Sequence, residues 1–157
     1  MRQSLLLLLV SLLAFALPAE ACFGPKLYLG TGTGARADVL YEVVSLYVKE
    51  KTGTESVRVE LNGKQPLVEL RAERVDMVFW DGDTVAEPAL LVVEGGPALI
   101  SGKRPLQDLQ FTTVAPALRK LARLLRGEQV AELAARVEAG APPAAAARRF
   151  LMDQGWI

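Results

Sequence analysis

The chain has 157 residues, with 18 Lys and Arg against 18 Asp and Glu, and a formal net charge of zero. No basic excess favours nucleic acid, so no nucleic-acid partner is expected. One Cys and no His exclude an intramolecular disulfide and a Cys/His metal site. They also remove the commonest general base, so neither an enzyme nor a bound cofactor is expected.

The first residues read as a secretory leader. Arg2 supplies a basic start, Leu5–Leu17 is an almost unbroken apolar run, and Pro18 breaks it before Ala19-Glu20-Ala21. That is the order of basic region, short apolar region and A-x-A cleavage site. The run falls short of the ~20 residues that span a bilayer. The expected division is therefore a signal peptide over residues 1–21 and a single α/β domain over 22–157, in the periplasm or secreted. Cys22 follows the cleavage site directly, where a lipidated cysteine would stand. Ala19 and Glu20 fit a lipoprotein box poorly, so a free thiol is the preferred reading.

Lys26–Gly30 reads as a first strand after Gly24-Pro25, followed by a flexible Gly30-Thr31-Gly32-Thr33-Gly34 loop. From Arg36 to Lys51, Val39, Leu40, Val43, Val44, Leu46 and Tyr47 recur at helical spacing, and Thr52-Gly53 ends the helix. Ser56–Leu61 alternates polar and apolar as a half-buried strand, and Asn62-Gly63 makes a turn. Gln65–Glu73 reads as a short helix and Val75–Trp80 as a third strand. This strand–helix alternation predicts a parallel sheet with crossovers. Ala89–Val93 follows as a fourth strand, Gly95-Gly96-Pro97 as a turn and Ala98–Ile100 as a short apolar piece, while Pro105–Thr113 carries no assignable pattern. Three helices close the chain, over Pro116–Leu125, Glu128–Glu138 and Ala144–Gln154. The fold class predicted is α/β: a three-layer sandwich around a mainly parallel sheet of four or five strands.

Three stretches resemble the periplasmic substrate-binding proteins of glycine betaine, choline and related osmoprotectant ABC transporters. The first is Pro25–Gly30 with its polar loop, then Leu40-Tyr41-Glu42 in a helix ending Lys51-Thr52-Gly53. The second is Glu73-Arg74-Val75-Asp76-Met77. The third is Leu124–Gln129 through Arg148–Ile157. The resemblance implies one lobe of a two-lobed fold. Residues 85–115 occupy the interval of the second lobe and are too few for a domain of ~100 residues. They are read as a bridge in its place. The Thr31-Gly32-Thr33-Gly34 loop also departs from the bulkier polar residues usual in that family.

Ligands of open parallel sheets sit beyond the carboxyl ends of the strands. That rule selects Thr31 and Thr33 after the first strand, and Phe79, Trp80, Asp81 and Asp83 after the third. An aromatic face beside carboxylates suits a quaternary ammonium, with cation–π attraction of ~0.5–2 kcal/mol. The family resemblance implies an aromatic cage to which Phe79 and Trp80 would contribute. The blander alternatives are a Trp80 that covers the sheet edge and a solvated turn at Asp81-Gly82-Asp83. Asp81 and Asp83 alone are too few ligands for a divalent cation. The Gly30-x-Gly32-x-Gly34 loop could instead cradle a phosphate or carboxylate at the helix start, although its spacing departs from the dinucleotide fingerprint.

Arg119, Lys120, Arg123 and Arg126 form a basic stripe, read as a solvated helix face or a docking surface for an acidic partner. The function expected is that of a substrate-binding-like protein presenting a small quaternary-ammonium ligand, with an ABC transporter permease as partner. The alternative is an interaction module of an exported complex. A homodimer that rebuilds a cleft between two copies is a third arrangement.

Overall fold

Alternation along β1 (Lys26–Thr31) sends Leu27, Leu29 and Thr31 to one face of a sheet, and the 3.6-residue period of α1 (Ala35–Thr52) supplies the apolar stripe that covers them. The structure is a computed structural model describing residues 24–157. The leader read over residues 1–21 and the reading of Cys22 both lie outside the described residues. After α1 come β2 (Glu55–Glu60), α2 (Pro66–Arg71), β3 (Met77–Trp80), β4 (Ala89–Val92) and β5 (Ala98–Ser101). A one-turn helix α3 (Arg104–Gln107) and a 3-10 turn at Leu109–Phe111 lead into α4 (Val114–Leu124), α5 (Gly127–Glu138) and α6 (Pro143–Asp153).

The protein is α/β, with a mixed five-stranded sheet in the order β2-β1-β3-β5-β4. β1 pairs in parallel with both β2 and β3. The sequence-based expectation of a mainly parallel sheet needs correction at the other edge, where β5 runs antiparallel to both β3 and β4. The reason is the connection. Val93–Pro97 is too short for a crossover, so β4 and β5 form a hairpin and must oppose one another. Ala98–Ile100, read above as a short apolar piece, is the body of β5.

Most of the core lies on one face. Val39, Leu40, Val43, Val44, Tyr47 and Val48 of α1 pack on Leu27, Leu29, Met77 and Leu99 of the sheet. Leu118 and Leu121 of α4, Val130 and Leu133 of α5, and Leu151 of α6 surround α1 from outside. The alanine-rich start of α6 is packed into this core through Ala147, with Phe150 and Trp156 against the same cluster. Gly53 ends α1 in the left-handed region at φ 73°, its N–H donating to the Lys49 carbonyl at 2.8 Å.

The opposite face is more thinly covered. There the six-residue α2 brings Leu70 onto Val75, Val78 and Ile100. Two thirds of a three-layer sandwich are thus substantial, and the third layer is a single short helix with the loop that contains Val85. Where the chain enters β3, Asp76 is buried, and its Oδ2 accepts from the Tyr28 N–H at 2.8 Å and from Arg104 Nη1 at 2.6 Å. Arg104 also donates to the Lys26 carbonyl at 2.9 Å and stands 4.8 Å from the Phe111 ring centroid. This knot ties the amino ends of β1 and β3 to α3 and leaves their carboxyl ends to form the other pole.

Candidate functional site

Strand order reverses at β1, with β2 on one side and β3 on the other. The crossover loops therefore part at the carboxyl ends and leave a crevice at this switch point. A cleft of about 500 Å³ occupies that position. Buried Leu40, Leu61 and Pro97 form its floor. Gly32 and Thr33 come from the loop after β1, Asn62, Gly63 and Lys64 from the turn after β2, and Phe79, Trp80 and Asp81 from the end of β3. Asn62 and Gly63 take left-handed conformations, φ 48° and 81°, which fold the β2–α2 turn back beside the cleft.

Four of the six residues selected from sequence, Thr33, Phe79, Trp80 and Asp81, line this cleft. The other two need correction. Thr31 is fully buried within β1, and its hydroxyl accepts from Arg58 Nε at 3.0 Å, so it faces the protein and not a ligand. Asp83 lies outside the lining, and its part is played by its backbone carbonyl, which accepts from the Trp80 indole N–H at 2.8 Å. That bond curls residues 80–83 around the indole. Gly82 lies so close to the ring that a β-carbon there would overlap it. Trp80 is half-buried, one side resting against the cluster of Leu70, Val75, Val78 and Ile100.

No side chain caps the first turn of α1, so the unsatisfied N–H groups of that 18-residue helix and the positive end of its dipole face the cleft near Thr33. Lys64 lines the cleft from the β2 turn, whereas Asp81 stands beyond β3 with Trp80. Arg36 Nη2 donates to the Gly95 carbonyl at 2.8 Å and thereby moors the β4–β5 turn to the cleft wall. From the other side the start of α5 supports that turn, because a β-carbon at Gly127 would overlap the Glu94 carbonyl oxygen.

Sequence reasoning missed Arg36, Lys64 and Arg58. Arg36 and Lys64 had a usable signal, since each follows directly after the loop or turn at a strand's carboxyl end. Arg58 had none, because an Arg in an alternating strand looks like a solvated residue. Here it reaches across the sheet to Thr31, to the Gly32 carbonyl at 3.2 Å and to Asp38 Oδ1 at 2.6 Å. Burial raises the Glu42 carboxyl above its usual range; the Arg58 charge opposes that shift and Asp38 adds to it. Arg119, Lys120 and Arg123 are exposed on the side of α4 away from the core, whereas Arg126, also exposed, lies past the end of α4 in extended backbone before α5 and does not continue the stripe on that helix. Among the described residues, no group of three or more Asp, Glu or Cys is arranged to hold a metal ion. Compared with protein-family models, curated proteins and solved structures, the chain matches none.

Proposed function

We propose that the protein is an exported substrate-binding-like component whose cleft takes a small zwitterion carrying a quaternary ammonium, of which glycine betaine is the simplest. The observation that supports this most is the meeting of Gly32 and Thr33 with Phe79, Trp80 and Asp81 in one cleft at the strand switch point. A carboxylate is favoured beside the α1 amino end and Lys64. A methylated ammonium forms no hydrogen bonds and is favoured by the Trp80 face and the Asp81 charge. The order β2-β1-β3 with helices after β1 and β2 is consistent with one lobe of a periplasmic binding protein, and the resemblance in the opening strand, loop and helix points the same way.

A single lobe encloses its ligand from one side only, and most of the Trp80 surface is already covered. Binding should therefore be in the millimolar range, about 4 kcal/mol. An ABC permease, or a second copy that closes the cleft, would supply the missing wall. Calorimetry of the protein with glycine betaine, choline and carnitine, beside its mass in solution, tests this reading. Millimolar binding of glycine betaine, tighter than choline, is the expected result. No heat with any of the three overturns it.

The other reading, an interaction module, predicts a broad apolar face at the mouth of the cleft. Three of the large exposed apolar side chains, Tyr28, Leu106 and Leu109, instead belong to the amino-end pole around Arg104. That distribution favours the ligand reading.

A further inference from the structure

We infer that Arg58 is the positioning residue of the cleft: from β2 it fixes the loop after β1 and the first turn of α1 in the geometry a ligand meets. The inference rests on the reading of the cleft as a ligand site.

The loop has little to hold it by itself. Gly32 and Gly34 have open space where a β-carbon would be, and Gly34 adopts φ +100°. Two such glycines in succession with one exposed Thr between them confer wide conformational freedom. A loop this free would cost a ligand most of the ordering that it had to impose. Arg58 removes that freedom through three contacts in sequence order. Its Nε holds the Thr31 hydroxyl at 3.0 Å, its Nη2 holds the Gly32 carbonyl at 3.2 Å, and Nη2 pairs with Asp38 Oδ1 at 2.6 Å, one turn into α1. The guanidinium also lies 5.6 Å from the Tyr41 ring centroid, which fixes its plane from the helix side.

One rigid fork thus spans the strand end, the loop and the helix start. Lysine, with one nitrogen on a flexible stem, cannot make all three contacts. Arg58 does not line the cleft. Its influence on a ligand passes through the loop. The side chain is 25% exposed and Asp38 28%, enough burial to shield the pair partly from solvent.

Two amides report on this clamp without any ligand. The Asp38 N–H donates to the Gly34 carbonyl and the Leu61 N–H to the Thr31 carbonyl, each at 3.0 Å. In Arg58→Met, hydrogen exchange at these two should accelerate about tenfold or more, while Leu29, Met77 and Leu99 in the sheet change by less than about threefold. Glycine betaine affinity should fall about tenfold in the same variant. Arg58→Lys, which keeps the charge and suits a case where Met prevents folding, should show the same pattern at about threefold or more. Unchanged exchange at Asp38 and Leu61, or acceleration spread evenly over the sheet, overturns the inference. If the wild-type protein binds no glycine betaine, the ligand reading fails by itself, and the exchange pattern still decides for or against the clamp.

Discussion

Gly30→Ala probes the junction on which the cleft is built. Gly30 lies in β1, between its two parallel neighbours, in register with Val59 of β2 and Val78 of β3. A β-carbon there would stand 2.9 Å from Val78 Cγ1, 3.2 Å from Leu61 Cδ2 and 3.4 Å from Val75 Cγ2. All three neighbours are buried, Val78 completely, and a β-branched side chain in a packed sheet has little room to turn away. Overpacking of this kind costs ~1–3 kcal/mol. Restricting the unfolded chain returns ~0.4–1 kcal/mol, because Gly30 has no left-handed conformation to lose. The net expectation is a loss of about 0.5–2 kcal/mol. At roughly 4 °C per kcal/mol for a domain of this size, Tm should fall by about 2–8 °C in a thermal melt. Gly32→Ala serves as the control, since Gly32 has open space and no left-handed backbone; it should stay within ~0.5 kcal/mol of wild type. A Gly30→Ala protein as stable as wild type would refute the close approach of β1, β3 and Leu61.

Three further outcomes follow from the same contacts. Gly82→Ala should push the indole off the residue 80–83 loop and break its bond to the Asp83 carbonyl; in a Trp156→Phe background the remaining Trp80 emission should shift to the red, and an unchanged spectrum would contradict the packing. Arg104→Ala strands buried Asp76 and should cost about 2–3 kcal/mol in a urea titration, below the ~3–5 of a fully buried pair because the Arg104 side chain is 41% exposed. Glycine betaine affinity should be unaltered by that change, since Arg104 is at the opposite pole; a loss of binding at full folding would contradict the placement. Two carboxylates should show in the pH dependence with opposite sign. Hydrogen bonds from Arg74 hold Glu69 below its usual 4.5, so its stabilisation is present above that pH and is lost as pH falls through the lowered value; Glu69→Gln should flatten the acid limb. Burial holds Glu42 above 4.5, so its ionisation costs stability as pH rises from there, and Glu42→Gln should raise Tm near neutrality. Equal acid limbs in wild type and Glu69→Gln would count against the Glu69–Arg74 pair.

Local periodicity was enough to place nearly every element within a residue or two. The amphipathic stripe of α1 and the alternation of Ser56–Leu61 are patterns that one stretch of chain carries by itself. Strand direction is not such a pattern. Ala98–Ile100 reads the same whether it runs with β3 or against it, and only the short Val93–Pro97 connection decides. Residues 105–113 lacked a pattern because they form one helical turn and one 3-10 turn, each too short to show a period.

The candidate site was legible where it depends on strand ends, as for Thr33, Phe79, Trp80 and Asp81. It was illegible where it depends on partners distant in sequence. Thr31 looked available because the residue that takes up its hydroxyl, Arg58, is 27 positions away on the neighbouring strand. Asp83 looked like a carboxylate ligand, whereas the group that matters is its main-chain oxygen.

In the function proposed for the cleft, the loops after β1, β2 and β3 form one receptor for a zwitterion. Its most direct test is an amide and indole NMR titration with glycine betaine, carried to about ten times a millimolar Kd. Saturable shifts are expected at Gly32, Thr33, Arg36, Lys64, Asp81 and the Trp80 indole, with Tyr28, Lys103 and Arg104 at the other pole unmoved. Shifts centred on Arg104, or none at all, would contradict it.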